Sequence, residues 1–232
     1  MAERGWSVAG WTVPAAPGPM VLEGRYARLE PLAVGQAAAL HSAFAADDAT
    51  WDFLPYGPFA GIGEYARWIE KMAASRDPLF FALVDRESGV PRGVMSFLRI
   101  TPEAGAIEVG HISLTPPARR TRMATEAIYL LAAWAFGAGY RRFEWKCDAL
   151  NLPSRRAAIR FGFSYEGIFR QAAVVKGRNR DTAWFAMVDG DWRCLASAYE
   201  TWLDPGNFSE GRQVAPLDTK ACRVAEDPAV SA

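Results

Sequence analysis

A chain of 232 residues, half of them hydrophobic and 12% aromatic, can bury a sizeable core and is not a disordered sequence. Its 26 basic and 26 acidic residues cancel, so bulk charge offers no pull toward nucleic acid or an anionic membrane. Any anion site must therefore come from local clustering.

Residues 1–20 are rich in Pro, Gly and Ala and carry Trp6 and Trp11; they read as an N-terminal arm pinned by its tryptophans. A first strand is expected over 25–32 and a helix over 34–46, where Leu40 and Phe44 are spaced i, i+4. The proline-broken aromatic stretch 51–59 reads as a loop that covers a core edge or walls an acceptor pocket. A helix follows over 63–74, with Tyr65, Trp68, Ile69 and Met72 on one face. Strands at 79–84, 90–100 and 106–114 are separated by short turns, so they form an antiparallel meander. Pro116 and Pro117 end the last of these, because neither can donate to a ladder.

The apolar run 127–140 is short against the ~20 residues of a membrane span and reads as a buried helix, expected over 125–136. The next strand, 141–147, must lie parallel to its predecessor if that helix is a right-handed crossover. A short helix at 153–161, strands at 163–175 and 182–188, and a helix at 191–203 complete the order. The result is a mixed α/β fold: a mostly antiparallel central sheet with one parallel strand pair, flanked by helices. One domain spans 21–203 and a tail spans 204–232. Cys147, Cys194 and Cys222 are odd in number, far apart and without metal-ligand spacing, which points to a reducing compartment and no metal site. With no basic stretch leading into an apolar run at the N-terminus, the expected location is the cytoplasm.

The chemistry concentrates in 108–163. Arg119, Arg120, Thr121, Arg122, Met123, Ala124 and Thr125 lie between a strand end and a helix start, with no acid until Glu126. The free N–H groups of a first helical turn and its positive dipole end bind phosphate, and arginines add charge-assisted bonds. Downstream, Asn151-Leu-Pro-Ser154 opens a helix that closes on Gly162-Phe163.

Together these motifs resemble the GCN5-related N-acetyltransferases, in particular the branch that acetylates N-termini of ribosomal proteins, over residues 21–190. That family's phosphate turn reads Gln/Arg-x-x-Gly-x-Gly/Ala; Arg119 fills its first position, Ala124 its last, and Arg122 replaces the usual glycine. The resemblance implies the acyl-CoA N-acyltransferase fold. It also implies that the amides of residues 119–125 hold the pyrophosphate of acetyl-CoA. Ile112 and Leu114 on the preceding strand would face the thioester arm, which Asn151 and Ser154 would bond from the other side. By position Glu108 is the general base, acting through water, and Ser154 the acid that assists thiolate departure; the tyrosine many relatives use seven residues after the asparagine is Ala158 here. Arg155 and Arg156 read as exposed helix arginines, with a coenzyme phosphate as the second reading. His111 reads as a packed, hydrogen-bonded histidine or as part of the acceptor wall. The resemblance places the hairpin at 176–181 at the acceptor entrance or a dimer contact, so a homodimer stays open.

The expected activity is direct acetyl transfer from acetyl-CoA to a primary amine without a metal, with a protein or peptide N-terminus as first choice. An α-amine with pKa near 8 is about a tenth neutral at pH 7, against roughly 0.04% for lysine, so proton removal is the smaller demand there. A small amine such as an antibiotic or polyamine is the second choice, and a non-catalytic acyl-CoA sensor the third. No nucleic acid or membrane partner is expected.

Overall fold

The structure, a computed structural model, describes residues 5–45 and 47–230. Residues 1–4 of the expected arm, residue 46 of the first helix and residues 231–232 of the tail lie outside the described residues.

The main sheet has eight strands in the order β1-β2-β3-β4-β5-β6-β8-β7: β1 (Leu22–Glu23), β2 (Ala27–Pro31), β3 (Leu79–Asp85), β4 (Pro91–Thr101), β5 (Ala106–Leu114), β6 (Arg142–Asp148), β7 (Ser164–Val175) and β8 (Arg178–Val188). Every neighbouring pair is antiparallel except β5 and β6. Those two are joined by helix α3 (Arg122–Gly137). Helices α1 (Ala37–Phe44) and α2 (Ile62–Ala73) precede β3, α4 (Leu152–Arg160) follows β6, and α5 (Asp189–Leu203) follows β8. The expected fold class is the observed one.

Strand β3 explains how two layers of helix are held apart. Its run Leu79-Phe-Phe-Ala-Leu-Val is buried throughout, as a strand covered on both faces requires. Phe81 and Leu83 join the core under α3, whose Ala127, Ile128, Leu131, Ala132 and Ala135 are buried against Phe97, Val109, Phe143 and Phe185. Phe80, Ala82 and Val84 point the other way, into a second cluster with Leu40, Phe44, Tyr65 and Ile69 of α1 and α2. That second cluster ends at β4. Beyond it the same sheet face carries Glu108, Glu144, Lys146 and Trp184, a polar floor.

Helix α3 starts three residues before the expected position because Thr121 caps it, its hydroxyl accepting from the Ala124 amide at 3.2 Å. In its second turn Glu126 is buried and accepts the amides of Arg25, Tyr26 and Ala27 at 2.8, 2.6 and 2.7 Å. This carboxylate locks the β1–β2 turn onto the crossover helix. A Cβ at Gly24 would come within 2.3 Å of the Glu126 side chain, so only glycine lets the carboxylate reach those amides.

Trp11 pins the N-terminal arm by donating to the Gly139 carbonyl at 3.0 Å, whereas Trp6 is exposed. Residues 204–230 return along the domain. After the small hairpin of β9 (Phe208–Ser209) and β10 (Arg212–Gln213), Leu217, Thr219 and Asp227 are buried. Arg155 forks onto Asp227, with its Nε 2.6 Å from Oδ2. Arg155 is thus buried and paired with the C-terminal segment, which corrects the expectation of an exposed helix arginine and equally the alternative of a coenzyme-phosphate contact. A Cys194–Cys222 disulfide ties the same segment to α5, so two of the three cysteines are not free thiols, against the inference of a reducing compartment. Twenty-eight residues separate them, and only the return of the chain brings them together.

Glu126→Ala should lower the unfolding free energy by roughly 3 kcal/mol, since it strands three backbone donors inside. Glu126→Gln, which keeps an acceptor oxygen, should lose less; urea denaturation of both variants checks this.

Candidate active site

Strand β5 does not stay with β6. The two pair from Ala106 with Arg142 to Val109 with Trp145 and then part, while β6 remains paired to β8 as far as Asp148. The cause lies on the other edge of β5. Between the pairs Gly110–Ser96 and Ser113–Val94, two residues oppose one on β4, and His111 adopts φ 52°. This bulge turns the strand away. Residues 110–114, including Ile112 and Leu114, are left with no strand partner on the β6 side.

The cleft so formed points at the start of α3. There the amides of Arg120, Thr121, Arg122 and Met123 have no acceptor among the described residues, whereas those of Arg119, Ala124 and Thr125 are bonded within the turn. Four free N–H groups at the positive end of a 16-residue helix form an anion cradle. The three arginines divide their work. Arg119 bonds the Leu114 carbonyl, Asp47 and Thr50, so its charge is matched by the segment between α1 and α2. Arg122 lies over the Tyr26 ring, 4.2 Å from its centre, and under Phe208. Of these three, only Arg120, exposed and at φ 58°, has a guanidinium without a partner among the described residues. The turn thus offers one guanidinium without a partner and four amides without an acceptor among the described residues, not three arginines turned the same way.

On the opposite wall, Asn151 caps α4 by accepting the Ser154 amide at 3.1 Å. The Ser154 hydroxyl accepts from the Trp145 indole N–H at 3.1 Å. With the indole on its lone pair, the hydroxyl can donate its own proton, and the neighbouring Cys147 sulfur is one partner for it. Cys147 is a buried free thiol, pushed up to about 11 by burial, with Ser154 and Arg180 opposing the shift. It is no nucleophile at neutral pH.

Glu108 is 2% exposed. Its Oε1 accepts from Arg99 Nη1 at 2.7 Å, and Lys146 Nζ stands 2.9 Å from Oε2. The lysine contact is an ion pair, and the same Nζ also stands 2.7 Å from Glu144 Oε2. Burial raises the Glu108 pKa; Arg99 and Lys146 oppose it without cancelling it. Burial pushes Glu144 up as well, but Lys146 and Arg142 outweigh it and hold that carboxyl below its usual value. The network therefore separates two neighbouring carboxylates by environment. Arg99 reaches Glu108 because a second bulge in β4, held by Asp77 bonding the amides of Arg99 and Ile100, turns the chain at that point. No sequence signal marked Arg99. Lys146 was legible in retrospect, two residues from Glu144 on one face of β6.

His111 lies in an aromatic wall. Its ring stacks on Tyr56, with Nδ1 3.3 Å from the hydroxyl, and meets Phe80. Tyr56 continues the wall to Trp51 and Trp68. Burial, then the charges of Arg99 and Arg180, bring His111 down to about 4, so it is neutral at pH 7. From the far side the β7–β8 turn crosses over, Lys176 Nζ donating to the Trp51 carbonyl at 2.7 Å.

Comparisons with known proteins bear on the family and the fold. The model of the Acetyltransferase (GNAT) domain matches residues 27–164. A GCN5-related N-acetyltransferase from Brucella melitensis is 45% identical, with 90% of this chain and 97% of that one covered and a TM-score of 0.88. A probable acetyltransferase (GNAT family) from Chromobacterium violaceum ATCC 12472 is 41% identical, covering 83% and 98%, at 0.78. The Microcin C7 self immunity acetyltransferase MccE, solved with acetyl-CoA and AMP, shares the fold at 22% identity, 71% and 93% coverage and 0.64. No curated protein matches the chain. A chain with this cleft and these relatives belongs to the GCN5-related N-acetyltransferase family, and it is an acetyltransferase.

Because His111 is depressed in the fold, it stabilises the protein above the ordinary histidine range, and this contribution is lost as pH falls from about 6.5 toward about 4. That interval corresponds to on the order of 3 kcal/mol. His111→Gln should flatten this part of the stability–pH curve, followed by urea denaturation between pH 7 and 4.

Proposed function

We propose that this acetyltransferase moves an acetyl group from acetyl-CoA straight to a primary amine, with the amino terminus of a protein or peptide as acceptor. The observation that carries the reading is the coincidence of three features on one cleft. These are free amides at the start of α3, a gap between β5 and β6, and a buried Glu108 on the floor beside it. The residues present suit coenzyme A: the amides of 120–123 and the Arg120 guanidinium would take the pyrophosphate. The pantetheine arm would lie along the free edge of residues 110–114, including Ile112 and Leu114. Asn151 and Ser154 line the β6 side. No metal is used in the step.

The acceptor amine enters over the polar floor. Glu108 takes its proton through a water, which burial favours by raising the carboxyl toward useful base strength. The nitrogen attacks the thioester carbon while strand amides near Ile112 orient the carbonyl oxygen. As the carbon–sulfur bond breaks, the Ser154 hydroxyl gives a proton to the leaving thiolate. Its orientation by Trp145 supports that role, and capping of α4 is done by Asn151, so the serine hydroxyl is not needed there.

The peptide preference rests on the easier deprotonation of an α-amine. Likeness to a ribosomal-protein acetyltransferase supports it at the level of fold alone. The Lys176–Trp51 bridge favours a second reading, a small amine, because it narrows one end of the groove.

Thiol release from acetyl-CoA against N-terminal peptides and small amines, with product masses checked, tests both. Coenzyme binding without release against any amine would instead make the protein a sensor. Glu108→Gln should lower kcat at pH 7 by about 10–100-fold. It should also remove the limb of the pH–rate profile that rises through a pKa above the ordinary carboxylate range. Ser154→Ala should lower kcat by about tenfold with little change in coenzyme affinity; unchanged turnover would remove the serine from the acid role.

A further inference from the structure

The polar floor is not electrically neutral. Arg142 is matched by Glu144 and Glu166, Arg99 by Glu108, and Lys146 by Glu108 and Glu144. Arg180 has no such match. Among the described residues it forms no hydrogen bond and no ion pair, and its Nε is buried without a partner. Burying a guanidinium nitrogen unpaired costs free energy, and a bound anion would offset that cost.

Its place follows from register. On β8, Trp184 lies opposite Lys146 and Thr182 opposite Asp148, the last residue of β6. Alternation puts Arg180 on the same face as Trp184, over whose ring Lys146 Nζ sits at 3.7 Å. It therefore stands just past the end of β6, where the gap from β5 opens onto the floor. Its charge is felt by His111 on β5 and by Cys147 on β6, the strands on either side of that gap. The nearby acids make no ion pair with it: Asp181 accepts the Gln171 amide and the Asn179 side chain, and Asp148 accepts the Leu150 amide, though each keeps its charge. The aromatic wall opposite adds no negative charge, since His111 is neutral.

An ammonium approaching this mouth meets a guanidinium without an ion-pair partner, whose repulsion is offset when the same molecule carries a negative group. The geometry points to Arg180 as the anchor for an anionic group, a carboxylate or phosphate, on the acceptor whose amine is acetylated. This deepens the proposed transferase reading and rests on it. A carboxylate beside the amine would be held by a two-pronged guanidinium contact. It would also lower the repulsion felt by the incoming amine. Arg180 is thus a specificity residue for the acceptor, separate from the coenzyme's cradle at α3.

The test compares matched acceptors by thiol release from acetyl-CoA. One arm uses small amines bearing a carboxylate or phosphate, each against its carboxamide or dephosphorylated counterpart. The other uses N-terminal peptides with Asp or Glu in the first three positions against the same peptides with Asn or Gln. The wild-type protein should favour the anionic member of the productive pairs in kcat/KM by roughly tenfold to hundredfold, and the productive arm tells small acid from acidic peptide. Arg180→Gln should bring that ratio near one, Arg180→Lys should restore part of it, and Arg180→Glu should push it below one. Acetyl-CoA affinity, measured on the same preparations, reports folding. Equal use of both members by the wild type, a ratio unmoved in Arg180→Gln, or no release with any anionic amine overturns the assignment. Release with neutral amines alone would leave the transferase reading standing, whereas no coenzyme binding at all would remove both.

Discussion

The parting of β5 from β6 is the constraint on which the site depends. Four residue pairs hold the strands together; one bulge at His111 then ends the pairing. A sheet that stayed paired to its ends would have satisfied the backbone of residues 110–114 and left no room for a long thin ligand. The unmet backbone groups are tolerable because they border a gap open to water or ligand. The crossover between these two strands is also what delivers the α3 N-terminus to the mouth of the gap. One topological fact, a single parallel pair in an antiparallel sheet, thus supplies both the slot and the anion cradle.

Charge is arranged around that slot in two compartments. At α3 the positive potential comes from backbone amides, and two of the three arginines are occupied in holding other segments. On the floor, Glu108 and Glu144 share Lys146 but differ in what else surrounds them, so burial prevails at one and cations prevail at the other. This is how neighbouring carboxylates come to differ in basicity. The C-terminal segment, fixed by the Arg155–Asp227 pair and the Cys194–Cys222 bridge, braces α4 from behind, which steadies the wall that carries Ser154.

Much of this could be read from the residues in order. Strand β5 was expected over the very residues it occupies, because Thr-Pro-Glu-Ala-Gly and Pro116-Pro117 bound it chemically. The start of α3 was placed three residues late, since Thr121 looked like part of an arginine loop and its cap bond is a local choice the pattern does not reveal. The arginines show the harder limit. Arg119, Arg122 and Arg155 sit beside a plausible anion site in sequence, yet they reach Asp47, Tyr26 and Asp227 across long stretches of chain. A side chain several bonds long can point to whichever partner folding brings near, and spacing cannot say which.

By itself the sequence determined the order of elements, the crossover helix between two parallel strands, and the presence of a carboxylate in an apolar strand, because each depends on residues close along the chain. Tertiary structure alone decided that Arg99 and Lys146 flank that carboxylate, that His111 is neutral in an aromatic wall, and that Arg180 stands unmatched at the mouth. It likewise decided that two distant cysteines meet. Those outcomes are set by burial and by the field of neighbours from other elements, quantities that exist only once the strands lie side by side.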